Sequence, residues 1–517
     1  MKKIKKLIQL TSFVLLTVLC VSGVMSILLP KNYTGEWMSP VPTFRGFYDL
    51  EENTVDVLFL GSSHSYSSFC PQVLYDEYGL TSYNLGMGNQ NIVLNYFWLK
   101  EALKTQKPKV VVLESVYAFF HEPITVDFMD SANQKSLNYM HWFPNRLGAI
   151  RALCEIDPEG YSYGSFVPLF RYHDRWKELH EEDFSLDSIE KRAGRMGFSV
   201  AFRYYGGDTD FEPFDISPTD DAASLGVEPE EMEPCMREYL DKIRELCEKE
   251  EIRLVLTVSP NSESTIAQYL SLREYADEYG LEYYDFDLAS EFAAMNYDFP
   301  KDNADEEHPS FWGAQKVTRR MGEYLMNPVG GSGAGAGFTA LSPHTDPRWE
   351  NAGVHYQNAK KDAELMHVKD LREYISMLKD DRYSVLISVR GDASAGMDGE
   401  TARALMDLGL SEDLRTLDGD AYVAVIDGGE VIVEERDEDS VWDRGSIREG
   451  KTFYHVDSSG APGEYGAWSS IRVDEEERSR DSDGINIVVI LRENCACLDS
   501  VCFDTTSADR ETAVCKR

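Results

Sequence analysis

Positive charge is scarce in this 517-residue chain: 51 lysines and arginines stand against 90 aspartates and glutamates, a formal net charge of −39. A surface this acidic repels a phosphate backbone, which argues against nucleic acid as a partner. Cysteine is sparse until the end, where Cys495, Cys497, Cys502 and Cys515 crowd together out of nine in all. Their C-x-C-x4-C spacing has no nearby histidine and suits zinc poorly, so no metal site is expected. Long apolar runs are absent apart from one. With 43% hydrophobic and 27% charged residues, the rest should fold into two or three globular domains.

The exception is the uncharged stretch Leu7 to Leu29, preceded by Lys2, Lys3, Lys5 and Lys6 and closed by Pro30 and Lys31. At about 1.5 Å per residue it can cross a ~30 Å hydrocarbon core. The lysines in front predict a cytoplasmic N-terminus, a single-pass anchor over residues 1–30 and an extracellular body. The competing reading is a cleaved signal peptide, for which Val24-Met25-Ser26 is an acceptable context. An exported body permits disulfides, and Cys502–Cys515 is the first pairing expected.

Beyond the anchor, short apolar runs alternate with helical stretches. Val55–Leu60, Val110–Leu113, Leu254–Val258 and Tyr283–Phe286 read as strands buried on both faces. Helical patterns cover Val93–Leu103, Glu231–Glu251 and residues 263–279. This alternation predicts a three-layer α/β/α domain with a parallel sheet over residues 31–327, any site lying at the strand C-termini. Between residues 118 and 230 the alternation fails and aromatics accumulate. This reads as an insertion, either a lid or a structural subdomain. The Gly/Ser-rich stretch 330–337 opens a flexible linker and connector over 328–367. A β-rich or α+β domain follows over 368–517, with apolar runs Tyr383–Val389, Tyr422–Ile426, Val431–Val433 and Ile485–Ile490. Its helix is expected at Asp398–Leu408, and Asp427-Gly428-Gly429 signals a hairpin.

Two separated segments carry chemistry. The run "DVLFL" stops at Gly61-Ser62-Ser63-His64, which offers Ser62 or Ser63 as a nucleophile at the end of a strand. Far along the chain, "DNADEEHPSFWG" places Asp305 and His308 three residues apart before a helix starting near Pro309. On one turn the carboxylate can hold Nδ1–H of the imidazole, leaving Nε2 free to take a serine proton. His64, adjacent to the nucleophile, is expected to point away from it and serve a structural role. His173 and His180 could share a helix face, but without convergent ligands they carry no metal prediction.

Together, Gly61-Ser62-Ser63 and Asp305-Glu306-Glu307-His308 resemble the opening Gly-Asp-Ser and closing Asp-x-x-His blocks of the SGNH (GDSL-like) hydrolase superfamily. The resemblance covers residues 45–326. It implies a flavodoxin-like fold, with Ser63 as nucleophile, His308 as general base and Asp305 as its orienting partner. The oxyanion block of that family corresponds to "YNLGMGNQN", which nominates Gly86, Gly88 and Asn89 beside the backbone N–H of Ser63. The family's Gly-x-Asn-Asp block is missing; "VVVLESVY" puts Glu114 and Ser115 there instead. With the anchor, the Gly-Ser-Ser variant is similar to the D-alanine transfer protein of teichoic acids and to alginate O-acetyltransferases. Those relatives imply a multi-span membrane acyltransferase partner, a cell-surface polysaccharide acceptor and no cofactor.

In the C-terminal region, "YSVLISVRGDAS", "AYVAVIDGGEVIVEE" and "GINIVVILRENCACLDSVCFDT" resemble an interleukin-like (ILEI) domain in permuted order. That resemblance implies a small β-rich module, glycan-binding in some relatives. Three function classes stay open: an O-acyltransferase, an esterase using water as acceptor, and a non-catalytic glycan-binding assembly protein.

Overall fold

The computed structural model describes residues 2–30, 40–119, 124–179, 181–184, 196–206, 211–217, 220–326, 346–461, 466–493, 496–507 and 514–517. The chain divides into two units, Met1–Asn358 and Ala359–Arg517. The Gly/Ser hinge expected at 330–337 lies outside the described residues.

The first unit is built on five parallel strands: β1 (Val57–Leu60), β2 (Ser82–Asn84), β3 (Val110–Glu114), β4 (Arg253–Val258) and β5 (Glu282–Asp285). Their order across the sheet is β2-β1-β3-β4-β5, every pairing parallel. Alternate side chains feed two cores. Leu58, Leu60, Val111, Leu113, Leu254 and Leu256 belong to one; Val57, Phe59, Val110, Val112 and Val255 belong to the other. Burial on both faces explains why β1, β3 and β4 read as apolar runs.

The helices between them are locally specified. Asn91 caps Ile92–Ala102 by accepting from the Leu94 N–H at 3.1 Å. Thr265 and Gln268 form a capping box on Ile266–Tyr279, and Gly280 ends it in the left-handed region at φ +65. Pro234 opens Pro234–Lys249 at a position where its missing N–H costs nothing. The described part of the 118–230 insertion holds short helices and 3-10 turns, with no strand among its described residues.

The expected connector over 328–367 needs correction. Pro347–Leu365 is a helix, and the first unit runs on to Asn358 rather than stopping at residue 327. Trp349 is fully buried, its indole N–H donating to the Ser82 carbonyl at 3.1 Å, and Tyr356 stacks on Phe311. These apolar residues, scattered through a polar stretch, bind the segment to the domain before it.

The second unit carries two antiparallel sheets. One has the order β15-β14-β13-β6-β7-β8 and the other β12-β11-β10-β9. Here β6 is Tyr383–Arg390, β7 Ala421–Asp427, β8 Glu430–Asp437, β9 Ser440–Ile447 and β10 Thr452–Ser459. β11 is Trp468–Val473, β12 Glu476–Glu477, β13 Gly484–Leu491, β14 Cys497–Asp504 and β15 Val514–Lys516. Leu386, Val425, Val456, Ile471 and Val488 pack in the core they share. Gly428 and Gly429, at φ +63 and +85, turn β7 into β8, the backbone that a two-residue hairpin loop needs. The Cys502–Cys515 disulfide does not form; both thiols are free. Phe503, not Cys502, pairs with Cys515 across β14 and β15, so alternation puts the two sulfurs on opposite faces.

Candidate active site

β1 delivers Gly61 to a sharp turn at the C-terminal edge of the sheet. Gly61 sits at φ +148, and a Cβ there would lie 2.7 Å from that of Glu114 and 2.8 Å from that of Ser65. Only glycine fits both the backbone and the space. The turn is braced from below: the Gly61 N–H donates to Asn95 Oδ1 at 3.0 Å, and Gln90 Nε2 donates to the Gly61 carbonyl at 3.3 Å. Ser62 then caps the helix Ser63–Ser68, its Oγ accepting from the His64 N–H at 3.3 Å. Ser63 is therefore the first helical residue, a position whose N–H has no intrahelical acceptor.

The partner loop folds on its own acid. Asp305 Oδ1 accepts three hydrogen bonds: from the Glu307 N–H at 2.9 Å, the His308 N–H at 2.8 Å and His308 Nδ1 at 2.9 Å. An Ala304 N–H to His308 carbonyl bond of 2.9 Å closes the turn, and Ser262 N–H ties it to the loop after β4 through the Glu306 carbonyl at 2.8 Å. Because a carboxylate only accepts, Nδ1 carries the proton and Nε2 keeps its lone pair. That lone pair faces Ser63 Oγ at 2.8 Å. Ser63, His308 and Asp305, distant in sequence, thus form one continuous relay. Burial of Asp305 raises its pKa, but its bonds to His308 and to backbone N–H groups outweigh this and hold it below the usual value.

His64 faces Glu307. It is buried beside the relay, its ring 4.9 Å from that of His308 and its Nε2 3.6 Å from Glu307 Oε2. Burial lowers the pKa of His64 against the opposing pull of Glu307, while the contact with His64 lowers that of Glu307. Sequence reasoning missed Glu307, although it directly precedes His308. His64, Glu307 and His308 bring candidate ligand atoms within 4.8 Å of one another, a grouping that could hold a cation. An ion drawing on His308 Nε2 would compete with Ser63 for the same lone pair.

The oxyanion candidates separate. The Gly86 N–H is committed to Asn84 Oδ1 at 2.9 Å, and a Cβ there would meet the Ser62 carbonyl at 2.7 Å. Gly86 is a spacer in the turn, not a donor toward Ser63. Gly88 lies half-buried beside Tyr66, with the Tyr66 hydroxyl 3.8 Å from where its Cβ would stand. Asn89 is exposed at φ +57, and its Oδ1 accepts from the Tyr117 hydroxyl at 2.7 Å. That contact commits Oδ1 and leaves the Asn89 NH2 as a donor. The N–H groups of Ser63 and Gly88 and the Asn89 amide remain the candidate donors.

Beneath the turn, Glu114 at the end of β3 is fully buried. Burial lifts its pKa to about 8, against a bond from the Val116 N–H. Asp285, raised by burial to about 6, and Asp287, raised by burial and by Asp285, close the other end of the sheet edge. Asn261 pins Asp287 with its backbone N–H at 3.1 Å. A scan of protein-family models finds none that matches this chain, and a search of curated proteins returns no match.

Proposed function

We propose that this chain is a membrane-anchored serine acyl-transferring enzyme of the SGNH type, modifying a cell-surface polysaccharide, with acetyl as the group moved. One observation carries the reading: the unbroken Asp305–His308–Ser63 relay, with contacts of 2.9 and 2.8 Å. The sheet order supports it, because β2-β1-β3-β4-β5 is the flavodoxin-like order and the relay stands at the strand C-termini.

In this mechanism Ser63 Oγ attacks the acyl carbonyl as His308 Nε2 takes its proton, and Asp305 steadies the imidazolium. The Ser63 N–H, with the Gly88 N–H or the Asn89 amide, receives the developing oxyanion. Collapse expels the donor's leaving group, which takes the proton from His308, and leaves Ser63 acylated. An acceptor hydroxyl, deprotonated by His308, then takes the acyl group and frees the serine. A sugar hydroxyl makes the enzyme a transferase and water makes it an esterase. A multi-span membrane acyltransferase supplying the donor fits the anchor helix.

The second unit is read as an ILEI-like accessory module. Trp442, Arg444, Phe453, His455 and Arg472 line a groove of about 690 Å³ on its outer sheet face, suited to a glycan.

The test is turnover of a chromogenic acetyl ester by the full chain and by Ser63→Ala, followed by addition of a glycan acceptor. Wild-type turnover falling by about 10³-fold or more in the variant supports the serine mechanism. Acetylated glycan identifies a transferase. No wild-type turnover of any donor would favour a non-catalytic glycan-binding assembly protein.

A further inference from the structure

The helix Lys2–Leu28 is exposed along Ile4–Val24 and enters the protein only from Met25, with Leu28 buried. At ~1.5 Å per residue the exposed part is ~31 Å long, matching a ~30 Å hydrocarbon core. The level of Met25 is therefore the level of one membrane–water interface. Three elements of the 118–230 insertion pack against this helix: the helix Pro168–Arg171 and the 3-10 turns His173–Lys177 and Glu181–Phe184. Arg175 Nη1 donates to the Leu28 carbonyl at 2.7 Å, and the Tyr139 hydroxyl donates to that of Pro30.

Each of these three elements holds one large aromatic out of the protein: Phe170 is 66% exposed, Trp176 65% and Phe184 62%. Arg171 pairs with Asp130, and Arg175 with Asp183 at 2.8 Å, so two of the cations on these elements are neutralised in place. Bare aromatics beside paired charges, at the height where a spanning helix leaves the hydrocarbon, match the composition of a membrane interface.

We propose that these elements form a lipid-facing collar that seats Phe170, Trp176 and Phe184 in the bilayer interface around the anchor. The first unit then lies against the membrane instead of swinging on a single helix. The insertion that bears the collar also reaches the site. The Met196 carbonyl accepts from the Asn84 N–H at 3.0 Å, the Ser199 N–H donates to the Tyr66 carbonyl at 3.0 Å, and Ala201 pairs with Ser310. On the acyl-transfer reading, which this consequence rests on, the collar sets the height of Ser63 above a membrane-delivered donor. Docking itself does not depend on catalysis.

The full chain, labelled with 5-fluorotryptophan and placed in phosphatidylcholine/phosphatidylglycerol nanodiscs, tests the collar by fluorine NMR, with Trp176→Phe assigning the resonance. A lipid carrying a shallow nitroxide should broaden the Trp176 signal several-fold, and a water-soluble gadolinium chelate should leave it sharp. Broadening by the chelate with no effect of the nitroxide lipid would put this face in water and overturn the proposal. A signal indifferent to both probes would place Trp176 against protein and overturn it equally. Acetyl-ester turnover measured on the same discs reads the serine mechanism separately, so either idea can fail alone.

Discussion

Asp305 has two tasks on one oxygen, since its Oδ1 both orients His308 and accepts the two N–H groups that fold the loop. Asp305→Asn keeps one oxygen to accept all three bonds but removes the negative charge that stabilises the imidazolium formed at His308. Ester turnover should fall by about 10²–10⁴-fold, with little change in the melting temperature of the first unit. A large loss of melting temperature would assign Asp305 to structure alone. Glu114 makes a prediction of the opposite kind. Its folded pKa of about 8 lies above the reference value of 4.5, so the native state binds more protons than the unfolded chain between those values. Stability should therefore fall as pH rises from about 4.5 to about 8, by on the order of 5 kcal/mol for this one group, and stay low above that range. The neighbouring buried pair Asp285 and Asp287, both raised by burial, adds to the same decline. Urea midpoints for Glu114→Gln at pH 5, 6.5 and 8 should show a flatter decline than wild type. An unchanged slope would clear Glu114 of the effect.

Among the elements, the helix Pro347–Leu365 most changes where the first unit ends. Trp349→Ala removes a fully buried indole and its bond to the Ser82 carbonyl. It should destabilise the first unit by about 3–5 kcal/mol, read from its chemical denaturation; no change would return the segment to a loose connector. The same helix marks a limit of reading elements from sequence. β1, β3 and β4 were legible because sheet strands covered on both faces are apolar nearly throughout, and the Asp305–His308 contact because Asp-x-x-His spacing fits a single turn. Pro347–Leu365 hid its few anchoring aromatics among polar residues. β9 to β12 were missed because one face of that sheet is exposed, so Trp442, Arg444 and Arg472 interrupt the apolar pattern. The disulfide prediction failed on strand register, which spacing between cysteines does not encode. Glu307 was missed because its pairing with His64 arises only when the helix Ser63–Ser68 meets a loop about 240 residues farther along the chain.

At the scale of the whole chain, the choice between a retained anchor and a cleaved leader turns on the backbone near Ser26. Peptidase cleavage requires an extended, accessible segment, whereas the helix runs unbroken from Lys2 to Leu28. Its last turn, from Met25 on, is partly covered by protein, with the Leu28 carbonyl bonded to Arg175 and that of Pro30 to Tyr139. Unwinding this turn would break those contacts and uncover Leu28, a side chain whose burial contributes roughly 1.5–3 kcal/mol. The chain expressed in a bacterial host with a secretion pathway should therefore stay in the membrane fraction after alkaline carbonate extraction. Its intact mass should include residues 2–30. Recovery from the medium of a protein beginning at Ile27 would show that the turn opens to the peptidase, and would also remove the helix on which the lipid-facing collar depends.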